Sequence, residues 1–334
     1  MSGRIVPQSA SAALLLHQPF ERPALKTDTR QHLRANLLML VASIIWGSAF
    51  VAQRLSLDAI GPFLFTGLRF LLGALVVLCL IACIRRPALA ELTKRGPGGS
   101  RELLGAGMLL GLVVAASISL QQIGLQYTKI ANAGFISSLY VVIVPLLGVL
   151  FRHRTGVGTW LGATLAAIGM YFLSVDEHFS MLYGDWYQLG GALVISVQMM
   201  LVGRFALRHD TLMLALVQFV TCGVACLAVG LVVEPVSLAV IARAAPTILY
   251  GGALSVGVAY TIQVVAAKHA APSHAAVIFS MEGVFAALAG WLVLGETLST
   301  RALFGCALML AGLIVCQVMP VARRGRERLP RASS

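Results

Sequence analysis

Ten apolar runs, each close to the length of a bilayer-spanning helix, constrain this 334-residue chain more than any other feature. They lie at about 36–55, 62–84, 103–124, 130–151, 157–175, 186–206, 211–233, 246–267, 273–295 and 301–319. A hydrocarbon core of about 30 Å takes about 20 helical residues, so each run predicts a crossing. Only 11% of the residues are charged, against about 25% in soluble domains. That much apolar side chain cannot be hidden in one water-soluble core. The expected fold class is an all-α integral membrane protein, with ten transmembrane helices joined by short connectors.

Lys and Arg set the expected orientation. If the N-terminus is inside, twenty of the 25 basic residues fall on the cytoplasmic side, four fall outside, and Arg69 lies within a run. That asymmetry predicts cytoplasmic termini in a multi-pass membrane protein. The basic stretches 1–35 and 320–334 read as cytoplasmic tails, the first disordered. The net charge of +12 reads as topology signal and contact with anionic lipid headgroups. No nucleic-acid-binding motif accompanies it, so nucleic acid is not an expected partner. The acidic connector "SVDEHFSMLYGDW" falls on the outer side.

Prolines and cysteines are read as architecture. Pro62, Pro246 and Pro272 stand at or just before predicted helix starts, where a missing N–H is harmless. Pro145 lies inside the fourth run and predicts a kink there. The six cysteines all sit in apolar runs without a Cys-x-x-Cys pair, and read as packing residues.

The two halves resemble each other. "ANAGFISSLYVVIVPLLGVLFRHRT" of the fourth run lies without gaps over "SHAAVIFSMEGVFAALAGWLVLGET" of the ninth. After a one-residue shift, Gly162 matches Gly305 and Gly169 matches Gly312, while Gln121 of the third run meets Gln263 of the eighth. The halves are residues 36–175 and 186–319. Five crossings per half is an odd number, so the halves must run through the membrane in opposite senses. Inverted repeats are the architecture of secondary transporters, with the substrate site near the midplane.

Several stretches are similar to the EamA-type transporters of the drug/metabolite transporter superfamily. They are "ASIIWGSAFVAQR", "GLRFLLGA", "GLQYTKIANAGFISSLYVVIVPLLGVLF", "MEGVFAALAGWLVLGETLS" and "GCALMLAGLIV". The resemblance covers about residues 36–319. It implies a ten-helix carrier of two inverted five-helix repeats, exporting small metabolites, amino acids or drugs through a cavity open alternately to each side. Many relatives have Leu-Glu-Pro where this chain has Met281, Glu282 and Gly283, so the ninth helix is expected to be straighter here. Gly295 and Glu296 keep the family's Gly-Glu, whereas His153 and Arg154 stand in its place in the first repeat.

Two charged residues lie deep in the runs, Arg69 and Glu282. Each costs about 2.5–3.5 kcal/mol at a helix centre, so such residues face a cavity or a partner. At 1.5 Å per residue, Glu282 lies about 13 Å from the cytoplasmic start of its run and Arg69 about 10 Å from the outer start of its own. Their depths are similar enough for long side chains to meet. Three readings of Glu282 stand side by side: a protonatable group that couples protons to transport, a partner for a substrate amine, or interhelical glue. Tyr140 takes its place in the first repeat. Arg69 reads either as a holder of a substrate carboxylate or as a residue that snorkels outward or pairs with an acid. Gln121, Gln263, Trp46, Tyr260 and Ser138 complete the candidate substrate or proton pathway, alongside Gln198. His274 reads as a satisfied residue near a helix start.

Enzyme motifs are absent: no His-Glu-x-x-His, no Gly-x-Ser-x-Gly, no phosphate-binding Gly-rich loop. No metal or cofactor site is expected. The expected partners are the bilayer, a small-molecule substrate and, in the coupled reading, protons. Oligomeric state is open, a homodimer included. The alternative to transport is an intramembrane enzyme or a receptor.

Overall fold

Pro62 and Pro272 each open a helix, as their missing N–H groups allow. The computed structural model describes residues 29–84, 97–128, 130–150, 156–174, 182–295 and 299–319. The regular structure of these residues is all helical, with no strand among them. The helices are α1 (Thr29–Ser56), α2 (Pro62–Ile84), α3 (Pro97–Gly124), α4 (Ile130–Ser137), α5 (Tyr140–Leu150), α6 (Val157–Ser174), α7 (Tyr183–Phe205) and α8 (Thr211–Val233). There follow α9 (Leu238–Leu249), a π-helical stretch (Tyr250–Tyr260), α10 (Thr261–Ala266), α11 (Pro272–Phe279), α12 (Glu282–Leu294) and α13 (Thr300–Val318). The tails 1–28 and 320–334, the connector 85–96, His153, Arg154 and Glu296 lie outside the described residues, as does most of the acidic connector.

Among the described residues, seven helical segments are long and apolar enough to cross a membrane, ending with Leu238–Ala266 and Pro272–Val293. Tyr140–Leu150, Val157–Phe172 and Leu303–Cys316 are apolar but shorter. Seven of the ten predicted crossings therefore meet the length criterion. Large apolar side chains such as Leu37, Val41, Leu78, Met108, Val224 and Ile314 stand exposed on the outside of the bundle. So much exposed apolar surface suits lipid rather than water.

The predicted start at Pro246 is wrong. That residue lies inside α9, whose start is eight residues earlier and is capped by Ser237 Oγ, which accepts from Val240 N at 3.2 Å. A hydroxyl cap satisfies a free N–H, and Pro246 then stands where the helix loses a bond. The backbone widens into the π-helical stretch four residues later.

The fourth run does not break at Pro145. It tightens one turn earlier, at Ser138–Leu139, and the ninth run tightens at Ser280–Met281. The tightening recurs bond for bond. Ser138 N donates to Gly134 O, Leu139 N to Ile136 O, Val141 N to Ser138 O and Ile143 N to Leu139 O; Ser280, Met281, Gly283 and Phe285 do the same to Ala276, Ile278, Ser280 and Met281, all at 3.0–3.2 Å. Each partner lies 142 residues from its equivalent. The family's proline after Glu282 is absent, yet the ninth run is still interrupted at Ser280–Met281.

Packing repeats the same symmetry. α1 packs on the π-helical stretch as α7 packs on α3, and α2 packs on that stretch as α8 packs on α3. The equivalent helices α6 and α13 pack against each other and run antiparallel. A β-carbon at Gly162 would lie 2.7 Å from Gly312 O, and one at Gly169 would lie 2.6 Å from Gly305 O. The four glycines matched in the sequence thus meet crosswise, which lets two backbones touch. Equivalent elements meeting antiparallel means that the halves are inverted.

Candidate functional site

A central cavity lies where the two halves meet; the space between atoms there, open solvent included, is about 530 Å³. α1 supplies Trp46, Phe50 and Gln53, which share a face at i, i+4 and i+7. α2 supplies Arg69, α3 Ile118 and Gln121, α5 Tyr140, and α7 Ile195 and Met199. From the second half come Ser255, Tyr260, Gln263 and Glu282. The structure thus brings together Glu282, Arg69, Tyr140, Gln121, Gln263, Trp46 and Tyr260. Ser138 stands directly behind Glu282, its Oγ donating to Glu282 Oε1 at 3.3 Å.

Glu282 is 6% exposed. It is the first residue of α12, as Tyr140 is of α5. The two tightened turns therefore deliver equivalent residues to one place. The Tyr140 hydroxyl faces the Glu282 carboxylate without a hydrogen bond of proper geometry. α1 fixes the carboxylate's turn from behind. A β-carbon on Gly47 would lie 2.5 Å from Phe285 Cβ and 2.7 Å from Glu282 O, and Ser43 Oγ donates to Ile278 O at 3.0 Å. Pro145 is buried within α5, outside the cavity lining.

Arg69 does not snorkel, and no acid among the described residues pairs with it. It is 2% exposed, and its guanidinium lies 5.1 Å from the Phe65 ring and 5.6 Å from the Phe70 ring. No ion pair joins it to Glu282, although both line the cavity. The same cavity carries an aromatic wall. Trp46 and Tyr260 have ring centroids 4.7 Å apart, with Phe279 5.0 Å behind Trp46. Trp46 Nε1 donates to Ser255 O, at 3.2 Å, in the π-helical stretch. A widened turn frees carbonyls from regular helical pairing and is common at functional sites.

Gln121 and Gln263 occupy opposite ends. Arg54 Nη1 donates to Leu125 O at 2.7 Å, tying the end of α3 to the end of α1. His274 Nε2 meets Asn36 Oδ1 at 3.2 Å, tying the first turn of α11 to the N-terminal part of α1. Gln263 is bonded reciprocally to Gln198, amide to amide, at 3.4 and 3.5 Å. The apolar residues Met199, Val202, Ala267, Pro272 and Phe279 continue a smaller cavity beyond it. His274 also approaches Cys316 Sγ at 3.2 Å. Trp291 is exposed on the outer surface.

Sequence reasoning missed Gln53, Ser255, Phe50, Ile118, Ile195 and Met199. For α1 a signal was present, since Phe50 and Gln53 share a face with Trp46. Ser255 contributes through its carbonyl, which no side-chain pattern reveals.

Fold and cavity define a multi-pass membrane protein with a polar centre between two inverted halves. Residues 33–175 and 182–316 each match the EamA-like transporter family. An uncharacterized transporter of Archaeoglobus fulgidus is 28% identical over 85% of this chain and 86% of its own. The uncharacterized transporter YoaV of Bacillus subtilis is 23% identical over 83% of this chain and 94% of its own. A solved crystal structure superposes with a TM-score of 0.69 at 22% identity, over 88% of this chain and 99% of that one, a likeness of fold. The chain belongs to the EamA-like transporter family, and it is a membrane transporter of small molecules.

Proposed function

We propose that this protein is a secondary transporter of a bacterial inner membrane, crossing it ten times with both termini in the cytoplasm. It exports small metabolites, amino acids or drugs by alternating access, and Glu282 couples a proton to the cycle. One observation carries this reading: the tightened turns of the two repeats meet at the cavity, where Ser138 bonds Glu282. A tightened stretch within a helix is a natural hinge. Two hinges related by an inverted repeat can exchange roles, opening one end as the other closes.

Seven crossings rest on helix length, the α4–α5 crossing on its equivalence with α11–α12, which is long enough to cross, and the last two on the shorter apolar helices α6 and α13, which pack against each other. Orientation rests on the distribution of Lys and Arg. A carboxylate in the cavity that communicates with one side at a time takes up a proton from one side and releases it to the other, which is what coupling requires. Enzyme and receptor readings lack support from any motif.

The test is transport into and out of proteoliposomes loaded with a labelled metabolite pool, with and without an imposed pH gradient. Gradient-driven movement of a pool member supports the reading. Absence of counterflow for every member contradicts it.

A further inference from the structure

Arg69 is a buried cation without a counter-ion. No hydrogen bond or ion pair from its guanidinium to a described residue is present, and its Nε is buried without a partner. The groups within electrostatic range are Tyr260, Cys222 and Cys226, none of them a carboxylate. Phe65 and Phe70 flank the guanidinium, and Gly251 lets the π-helical stretch close on its stem, where a β-carbon would stand 3.3 Å from Arg69 Cδ. Aromatic faces offset part of a cation's desolvation but accept no N–H···O bond. A guanidinium held rigid, desolvated and lining a cavity is a prepared anion site.

We infer that Arg69 is the anchor for an anionic group on the transported molecule, and that this group is a carboxylate. The planar fork of the guanidinium matches a carboxylate edge with two parallel bonds. Glu282 lines the same cavity, so a molecule carrying two or more negative charges meets repulsion there. The Trp46–Tyr260 wall lines the same cavity and takes an apolar body. The substrate class is therefore a monocarboxylate or zwitterion with an apolar middle. Neutral molecules and purely cationic drugs leave Arg69 uncompensated and are excluded. The inference rests on the transporter reading and narrows it.

The test uses the full chain in lipid nanodiscs and a panel of L-amino acids and short monocarboxylates, each beside its primary carboxamide. Binding is read by quenching of tryptophan fluorescence, since Trp46 lines the cavity, and by calorimetry. At least one acid binds saturably, and its amide binds at least about tenfold more weakly, the loss of a charge-assisted bond. Arg69→Gln abolishes the difference between acid and amide, while Arg69→Lys keeps part of it. The wild-type comparison stands even if a variant fails to fold. Equal binding of acid and amide, a preference that survives Arg69→Gln, or no binding by any panel member overturns the inference. Counterflow in proteoliposomes separates the two readings. Acid-selective binding without counterflow contradicts transport and leaves the anion site standing. Counterflow of neutral solutes unaffected by Arg69→Gln overturns the anion site and leaves transport standing.

Discussion

Ser138 Oγ and Glu282 Oε1 lie 3.3 Å apart and join the tightened turns of opposite repeats. Ser280 occupies the position equivalent to Ser138, yet its hydroxyl folds back onto Val277 O at 2.8 Å. Likewise Tyr140 stands where the second repeat has Glu282. The backbone is symmetric here and the chemistry is not. Ser138→Ala removes one bond from the carboxylate and leaves the turn intact. Its stability cost is about 0.6 kcal/mol, the usual value for an interhelical polar contact in a membrane, and a double-mutant cycle with Glu282→Gln by thermal denaturation measures it.

Gly47 sets how close α1 lies to the carboxylate's turn. Its missing side chain would meet Phe285 Cβ at 2.5 Å and Ala286 N at 2.7 Å. Gly47→Val forces the helices apart and costs about 1–3 kcal/mol or more. The expected result is a lowered midpoint of thermal unfolding and loss of transport. Gly105→Ala is the control: nothing lies within 4 Å of its β-carbon position, and it stays within about 0.5 kcal/mol of wild type.

The Gln198–Gln263 pair closes one end of the cavity. Replacing either amide by Leu leaves the other buried and unpaired, whereas replacing both removes the mismatch. The double variant is therefore more stable than the sum of the singles predicts, by about 0.6 kcal/mol. Scanning fluorimetry of the four proteins reads the coupling.

Glu234 clamps the start of α2 from across the bundle. Its two carboxylate oxygens accept from Phe63 N and Leu64 N, both at 2.8 Å. This ties the end of α8 to the first turn of α2, whose free N–H groups favour an anion. Glu234→Ala costs about 1–2 kcal/mol, as loss of a helix cap does. Gly61→Ala has a similar effect by another route, because its β-carbon would fall 2.2 Å from Glu234 Cδ. Unfolding midpoints of both variants check this.

Apolar run length and repeated pattern made the helices and the inverted halves legible. The sequence matches at Gly162, Gly169, Gly305 and Gly312 became crosswise backbone contacts. The cavity residues were legible because a polar group in an apolar run demands a reason. What failed was geometry that depends on neighbours. Whether a turn keeps i+4 pairing or tightens to i+3 depends on its packing: Ser43 and Gly47 of α1 lie against the ninth run's turn, and the fourth run tightens at Ser138–Leu139 rather than at Pro145. Depth along the axis placed Arg69 and Glu282 at similar levels but says nothing about direction around the axis. α2 packs on α8 and the π-helical stretch, whereas α12 packs on α1, so the two charges stay apart. The cap at Ser237 outranked Pro246 as a helix start.

The most direct test of the account compares wild type with Glu282→Gln in proteoliposomes, with and without an imposed pH gradient. Gln keeps the shape and still accepts from Ser138, but it cannot carry a proton. The account predicts that wild type accumulates substrate against its gradient when the pH gradient is imposed, and that the variant exchanges substrate at equilibrium without accumulating it. Gradient-driven accumulation undiminished in Glu282→Gln would contradict proton coupling through this carboxylate and reduce Glu282 to helix packing.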